Sequence, residues 1–134
     1  MKYKYCFVFL SLLVFASCQT KKATNDPARL VYDETDLDIG NVVIEGGIKT
    51  LEYRIFNRGG KPFFIKTVVS SCECTDTEFK EEFVYSGKET VVRVKFDPSS
   101  LNEGAFERMI GVYSSVKQLP DTLYFHGVAK HKKE

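Results

Sequence analysis

Short runs of alternating apolar and polar residues occur along the chain from Leu30 onward, and clusters of Gly, Pro, Asn and Asp separate them. In the segment 51–55, Leu, Tyr and Ile alternate with Glu and Arg, and the segment 90–96 alternates in the same way. Because side chains two positions apart on a strand share a face, each run would bury one face and leave the other in solvent. The pattern predicts an all-β fold, an immunoglobulin-like antiparallel β-sandwich of about seven strands.

The strands are expected where β-branched and aromatic residues concentrate. The segment 63–69 is nearly continuous in apolar residues, which favours a central strand, whereas 57–62 has the composition of a turn. The expected strands are 30–32 with 37–39 as a broken first strand, then 42–44, 51–55, 63–69, 79–84, 90–96, 106–113 and 123–128.

The first 18 residues have the pattern of a bacterial lipoprotein export signal. Lys2 and Lys4 precede the apolar stretch Cys6 to Ala16, and Cys18 follows it after one serine. A retained transmembrane helix would need about 20 apolar residues, more than this stretch provides. We therefore expect cleavage before Cys18 and lipidation of that residue. Acyl chains would then anchor the protein in the cell envelope, on the periplasmic side of the outer membrane.

The expected organisation is a signal peptide at 1–17, a flexible tether at 18–28, one sandwich domain at 29–129 and a basic tail at 130–134. A chain of this length is typical of a single domain. Removing Lys2 and Lys4 from the 19 basic residues leaves 17 against 18 acidic ones, a formal net charge of −1. This balance provides no positive field for nucleic acid, so nucleic acid is not an expected partner.

Sequence motifs of enzymes and cofactor sites are absent. No phosphate loop, nucleophile elbow or dinucleotide fingerprint occurs in the chain. We therefore expect a protein that is not an enzyme, binds no cofactor and has no small-molecule substrate.

Three blocks of sequence resemble the bacterial domain-of-unknown-function family 1573. One joins Leu37-Asp38-Ile39-Gly40 to Glu45-Gly46 and Asn57-Arg58-Gly59, another is Cys72-Glu73-Cys74-Thr75, similar to a C-x-C-T signature, and the last runs from Phe96-Asp97 to Ser115. The resemblance implies an immunoglobulin-like domain of undefined biochemical role, often found on exported or lipidated proteins of the Bacteroidetes. Related sandwiches commonly act as interaction modules, which is an analogy at the level of the fold.

Cys72 and Cys74 are the candidate chemical pair. In an extended strand their side chains would lie on one side, with the Cα atoms about 6.4–6.8 Å apart, at the upper limit for a disulfide. Three roles stay open, namely inert or purely structural cysteines, a thiol-exchange pair, and a site for a soft metal such as cuprous ion. His126 and His131 are expected to be ordinary surface or solvated side chains rather than ligands or bases.

The sequence thus leads to two functional hypotheses. The first is a lipid-anchored, non-enzymatic protein-binding or assembly module that contacts an envelope protein through its edge strands. The alternative is a thiol redox or copper-handling protein that uses Cys72 and Cys74.

Overall fold

The computed structural model describes residues 25–133 and contains eight strands in two sheets. The signal segment 1–17, Cys18 and the beginning of the tether lie outside the described residues. A short 3₁₀ helix, Pro98–Ser100, follows the sixth strand. Within residues 25–133, no helix has the length and apolar character needed to cross a membrane. The strands are β1 Leu30–Tyr32, β2 Asp36–Val43, β3 Lys49–Asn57, β4 Ile65–Ser70, β5 Thr75–Glu78, β6 Glu89–Phe96, β7 Gly104–Ser114 and β8 Asp121–Lys130.

The two sheets have four strands each, in the orders β1-β3-β6-β5 and β2-β8-β7-β4. We call them sheet A and sheet B. Neighbouring strands are antiparallel except β2 and β8, which pair in parallel. This architecture confirms the expected immunoglobulin-like β-sandwich. It has one more strand than the approximate number predicted, because the expected broken first strand is in fact two strands, β1 and β2, which lie in different sheets.

The core lies between the sheets and follows the alternation seen in the sequence. The rings of Phe96 in sheet A and Phe106 and Phe125 in sheet B pack together, with centroids 5.1–5.4 Å apart. Tyr53 is also buried, and its hydroxyl donates to the carbonyl of Tyr124 at 2.7 Å. Burial raises the pKa of this phenol. The aromatic residues therefore provide much of the packing between the two layers.

The structure corrects two further expected strands. The apolar segment 63–69 gives β4, which is an edge strand rather than a central one, and Val69 on its outer face is 52% exposed. The segment 79–84 forms no strand and contributes a single bridge, Phe63 to Val84. The strand β5 precedes it, and the inward-facing residues of β5 include Thr75 and Thr77. Without apolar alternation, β5 gave no signal in the sequence.

A bulge interrupts the parallel pairing of β2 and β8 between Asp38 and Asn41. Gly40 adopts a φ of +67° there, and its N–H donates to the Asp38 carboxylate at 2.8 Å. The Gly40 carbonyl lies so close to Gly127 that a Cβ on Gly127 would sit 2.5 Å from it. Gly127 is therefore required by the close approach of the bulge.

The turn that follows β3 holds the N-terminal segment. Asp26 accepts backbone hydrogen bonds from Gly60 and Lys61, at 3.2 and 3.0 Å. A Cβ on Gly59 would lie 2.0 Å from the carbonyl oxygen of Pro27, so only glycine fits at this crossing. Segment 25–29 consequently enters the domain at the Asn57 end of sheet A.

Candidate functional site

Cys72 and Cys74 form a disulfide in the turn between β4 and β5, with Cα atoms 5.2 Å apart. Thr75 closes this turn by donating its N–H to the carbonyl of Cys72 at 3.2 Å. The pair therefore lies in a turn rather than in an extended strand. Turning the chain shortens the Cα separation into the range in which a disulfide forms readily.

Backbone hydrogen bonds hold this cysteine turn against its neighbours. Asp97, just after β6, donates its N–H to the carbonyl of Cys74 at 2.9 Å. The N–H of Cys74 donates to Cys72 Sγ at 3.1 Å, and the N–H of Cys72 donates to Ser70 Oγ at 3.2 Å. Both cysteines are half-buried. The bridge is thus fixed at the end of β6 while part of it still faces solvent.

A groove of about 520 Å³ lies beside the disulfide. Its charged side chains are mainly acidic, since three carboxylates face one ammonium group. That ammonium, on Lys95, is ion-paired with Glu78, which raises the pKa of Lys95. The residues that line the groove are Ile48, Cys72, Glu73, Cys74, Asp76, Lys95, Asp97, Ser99 and Ser100.

Asp97 stays ionised in this groove. Its carboxylate accepts a hydrogen bond from the Ser99 N–H at 2.9 Å and caps the 3₁₀ helix. This bond lowers the pKa of Asp97. The groove therefore has a negative field at neutral pH.

The arrangement offers an oxidised sulfur pair rather than a metal site. A thiolate can attack either sulfur of a disulfide. The two sulfur atoms are not thiolates themselves, however, and are poor metal ligands. Among residues 25–133, no three His, Cys, Asp or Glu side chains are grouped so that they could hold a metal ion. The copper-handling alternative would require prior reduction of the pair.

The two histidines lie apart from the cysteine turn. His126, on the outer face of sheet B, contacts Asp36 through Nδ1 at 2.9 Å. His131 contacts Glu45 through Nδ1, and the N–H of Lys132 donates to the same carboxylate at 3.0 Å. The expectation that His131 is simply solvated therefore omitted an ion pair, although its side chain is largely exposed.

An apolar patch covers part of the outer face of sheet B, and sequence analysis did not predict it. Val69 and Met109 are 52% and 45% exposed. Val69 lies opposite Gly111, which has no side chain, and a hollow of about 230 Å³ forms there. We define the patch as Val69, Met109, Gly111, Tyr113 and Pro120.

Acidic side chains border this patch. Tyr124 is paired with Met109 on one side and with Asp36 on the other, so Asp36 lies in the same cross-strand row as Met109, two strands away. Asp38 and Glu107 flank His126 in the following row. We call these carboxylates, Asp36, Asp38 and Glu107, the acidic rim.

The four edge strands are poorly suited to pairing with another chain. β1 has three residues, β2 contains the Gly40 bulge, and β5 exposes Asp76 and Glu78. On β4, the Thr77 hydroxyl donates to the carbonyl of Val68 at 3.4 Å from the open side. Short, bulged, charged or covered edges are the usual devices that prevent strand addition. The structure thus favours a sheet face over an edge as a contact surface.

Comparison with curated proteins found no match. Among solved structures, a protein of unknown function from Porphyromonas gingivalis W83 is similar over 77% of this chain, with a TM-score of 0.63 and 16% identity. This chain covers 46% of that protein, about half of its length. A PapD-like domain of human CEP192 gives a TM-score of 0.61 at 9% identity, covering 78% of this chain and 87% of the domain.

The periplasmic chaperone SfaE is also similar, with a TM-score of 0.52 and 12% identity over 78% of this chain and 59% of the chaperone. At such identities the likeness concerns the fold alone. A family model described as a protein of unknown function (DUF1573) matches residues 30–129. The predicted family is thereby confirmed, and the chain belongs to the DUF1573 family.

Proposed function

We propose that this protein is a lipid-anchored, non-enzymatic module that binds or assembles with another protein of the cell envelope. The observation that carries the proposal is the apolar patch on the outer face of sheet B. Val69 and Met109 project away from the core, so their apolar side chains contribute little to packing between the sheets. Exposed apolar groups gathered beside a hollow are typical of protein contact surfaces.

The partner surface we propose is apolar at its centre and basic at its margin. Aliphatic or aromatic side chains would fill the hollow at Gly111 and cover Met109. Lys or Arg side chains around them would face the acidic rim, which favours encounter and fixes orientation. Contact through a sheet face replaces the contact through edge strands that the sequence suggested.

The export signal supports an envelope location for this contact. Cys18 is the proposed lipidation site, and two or more acyl chains would give stable anchoring. Mass spectrometry of the native protein would then find residue 18 as an acylated N-terminus. An intact Met1 with an unmodified Cys18 would contradict the anchored location.

Cross-linking in intact envelopes tests the partner. We expect one envelope protein to be recovered with the lipidated wild-type chain and lost with the double variant Val69→Lys/Met109→Lys, because two charges in the hollow cannot be covered by apolar side chains. The matched control is Val31→Lys/Tyr85→Lys, which alters exposed apolar residues outside the patch. A Cys18→Ala chain controls for anchoring.

The proteins recovered show whether the apolar patch is the contact surface and whether an envelope protein binds at all. Recovery of the same protein with the patch variant at the wild-type level would overturn the proposed surface. Recovery of no protein above the Cys18→Ala level would overturn the envelope-binding function.

A thiol redox function is the second candidate, and the Cys72–Cys74 disulfide is the observation that favours it. A half-exposed bridge that closes a very small ring can be opened by an external thiol without disturbing the sheets. Thiol titration of protein isolated under non-reducing conditions should give a reversible dithiol–disulfide couple. Thiols that stay reduced and inert would remove this candidate.

A further inference from the structure

We infer that the Cys72–Cys74 bridge is a thiol–disulfide exchange site selective for cationic thiols, such as a cysteine pair flanked by basic residues. The inference rests on the second candidate function and specifies its substrate class. It follows from three features of the cysteine turn, namely access to sulfur, a negative groove and a donor for the released thiolate.

Access comes from the position of the bridge in the fold. The cysteine turn joins the edge strands β4 and β5, so no further strand covers it within the described residues. Both sulfur-bearing residues are half-buried and line the 520 Å³ groove. An incoming thiol can therefore reach the bridge from the groove.

The charge of the groove selects the incoming thiol. Glu73 lies between the two cysteines, and Asp76 and Asp97 line the same groove. Lys95 lies opposite Asp76 and is ion-paired with Glu78, so the carboxylates around the groove outnumber this one cation. Since the attacking species is an anionic thiolate, the carboxylates repel it unless a cationic group on the same molecule cancels its charge.

The exchange transfers two electrons from the partner to the bridge. A partner thiolate attacks one bridge sulfur, forming a mixed disulfide and breaking the Cys72–Cys74 bond. The second partner thiol attacks that mixed disulfide, so the partner becomes a disulfide and both protein sulfurs become thiols after taking up the two partner protons. No other oxidant or reductant is needed for this turnover.

The backbone supplies a donor for the sulfur that leaves. The N–H of Cys74 points at Cys72 Sγ, at 3.1 Å, and would stabilise a thiolate on that atom. The Cys74 carbonyl accepts the N–H of Asp97, a backbone contact with the end of β6 that does not involve the sulfur atoms. We therefore expect the turn to keep this backbone contact when the bridge is open.

Three small thiols of different charge test the inference. The full chain, with Cys6→Ser and Cys18→Ser so that only Cys72 and Cys74 remain, is treated with cysteamine, 2-mercaptoethanol or 2-mercaptoethanesulfonate. Bridge opening is followed by acid quench, alkylation and mass spectrometry. Each rate is divided by the rate of the same thiol with 2-hydroxyethyl disulfide, which removes differences in intrinsic reactivity.

We expect the normalised rate with cysteamine to exceed that with 2-mercaptoethanesulfonate about tenfold at low salt. The preference should shrink to about twofold in 1 M NaCl because salt screens the carboxylates. The variant Glu73→Gln/Asp76→Asn should lose most of it at low salt. The control Glu34→Gln/Glu81→Gln removes two exposed carboxylates outside the groove and should keep this preference.

The outcomes separate the inference from the function on which it rests. If neutral 2-mercaptoethanol leaves the folded bridge closed while opening it in the urea-unfolded chain, the redox function fails and the inference fails with it. If the neutral thiol opens the bridge but the normalised rates are equal, the function stands and charge selection is overturned. An unchanged preference in Glu73→Gln/Asp76→Asn also overturns charge selection.

Discussion

Asn57 is completely buried, and its side-chain amide bonds to three backbone groups. Its Nδ2 donates to the carbonyls of Lys61 and Val84, each at 2.8 Å, and its Oδ1 accepts the N–H of Gly59 at 2.9 Å. The Asn-x-Gly pattern therefore has a structural meaning. The amide closes the turn, and the glycine two residues later leaves space for segment 25–29.

Replacing Asn57 should destabilise the domain strongly. We expect Asn57→Ala to lower the free energy of unfolding by about 3 kcal/mol, because it removes these bonds and leaves buried backbone groups without partners. Urea denaturation measures the change. Asn102→Ala, at an exposed loop position, serves as the control with an expected loss below about 0.5 kcal/mol. Similar losses in the two variants would contradict this role for the Asn57 amide.

The disulfide should matter much less for stability. It closes a loop of three residues, for which the chain-entropy model gives about 1.5 kcal/mol. We expect Cys72→Ser/Cys74→Ser to fold normally and to lose about that much in urea denaturation. The wild-type chain with the bridge reduced is the matched comparison and should lose a similar amount. A double variant that fails to fold would show that the bridge is a structural requirement, contrary to this expectation.

The C-terminal segment is held by ion pairing rather than by sheet hydrogen bonds after β8 ends. Glu45, in the turn after β2, accepts hydrogen bonds from the His131 ring and the Lys132 N–H. The His131 N–H also donates to Glu103 at 3.0 Å. These contacts lower the pKa of Glu45 to about 2, chiefly through His131, and raise the pKa of His131, chiefly through Glu45.

The contact between Glu45 and His131 should stabilise the C-terminal segment only within a defined pH range. Glu45 contributes stability above its ordinary pKa of 4.5 and loses it as the pH falls towards 2, while His131 contributes fully below 6.5 and loses it as the pH rises through its raised pKa. Amide exchange of Lys132 should therefore be slowest between pH 4.5 and 6.5, after correction for intrinsic rates. By NMR titration, Glu45→Gln should lower the pKa of His131 and Glu107→Gln should not. An unchanged His131 pKa in Glu45→Gln would refute the pairing.

Strands that are apolar on one face could be predicted, and others could not. β3, β6, β7 and β8 bury alternate residues such as Tyr53 and Val92, so their periodicity is visible in the sequence. β5 places Thr75 and Thr77 inward and is stabilised by pairing with β6, which periodicity does not reveal. The parallel pairing of β2 with β8 joins distant parts of the chain and has no local signature.

For the cysteine site, the spacing of the two residues in the sequence predicted that they are close together but not the backbone conformation between them. Two cysteines separated by one residue can be close in a strand or in a turn, and the bond from Asp97 to Cys74 that stabilises the turn is a long-range contact. The apolar patch was missed for a related reason. Val69 and Met109 have the composition of core residues, and only the sheet order shows that their faces are uncovered.

At the scale of the whole molecule, Phe96 of sheet A packs directly on two aromatic rings of sheet B. Its ring lies 5.4 Å from that of Phe106 and 5.1 Å from that of Phe125, centroid to centroid, and is fully buried. Since the strands of sheet A and sheet B share few backbone hydrogen bonds, packing of these rings holds the layers together.

Truncation of the Phe96 ring should therefore weaken the packing between the two sheets and lower the free energy of unfolding. We expect Phe96→Ala to cost about 4 kcal/mol of unfolding free energy, the sum of lost burial and the cavity that remains. Calorimetry or urea denaturation measures the loss. Phe83→Ala, which removes a ring that is 57% exposed, should cost about 1 kcal/mol or less. Equal losses would show that Phe96 is not the main link between the sheets.

The crossing of segment 25–29 over Gly59 also fixes the end of the domain at which the chain enters. That crossing is at the Asn57 end of sheet A, whereas the cysteine turn adjoins Phe96 and Lys49 at the other end. The nine residues of β3 separate the two ends by about 27 Å. A bilayer attached upstream of residue 25 would thus hold the domain by its far end, leaving the disulfide as the tip that meets molecules arriving from the aqueous side.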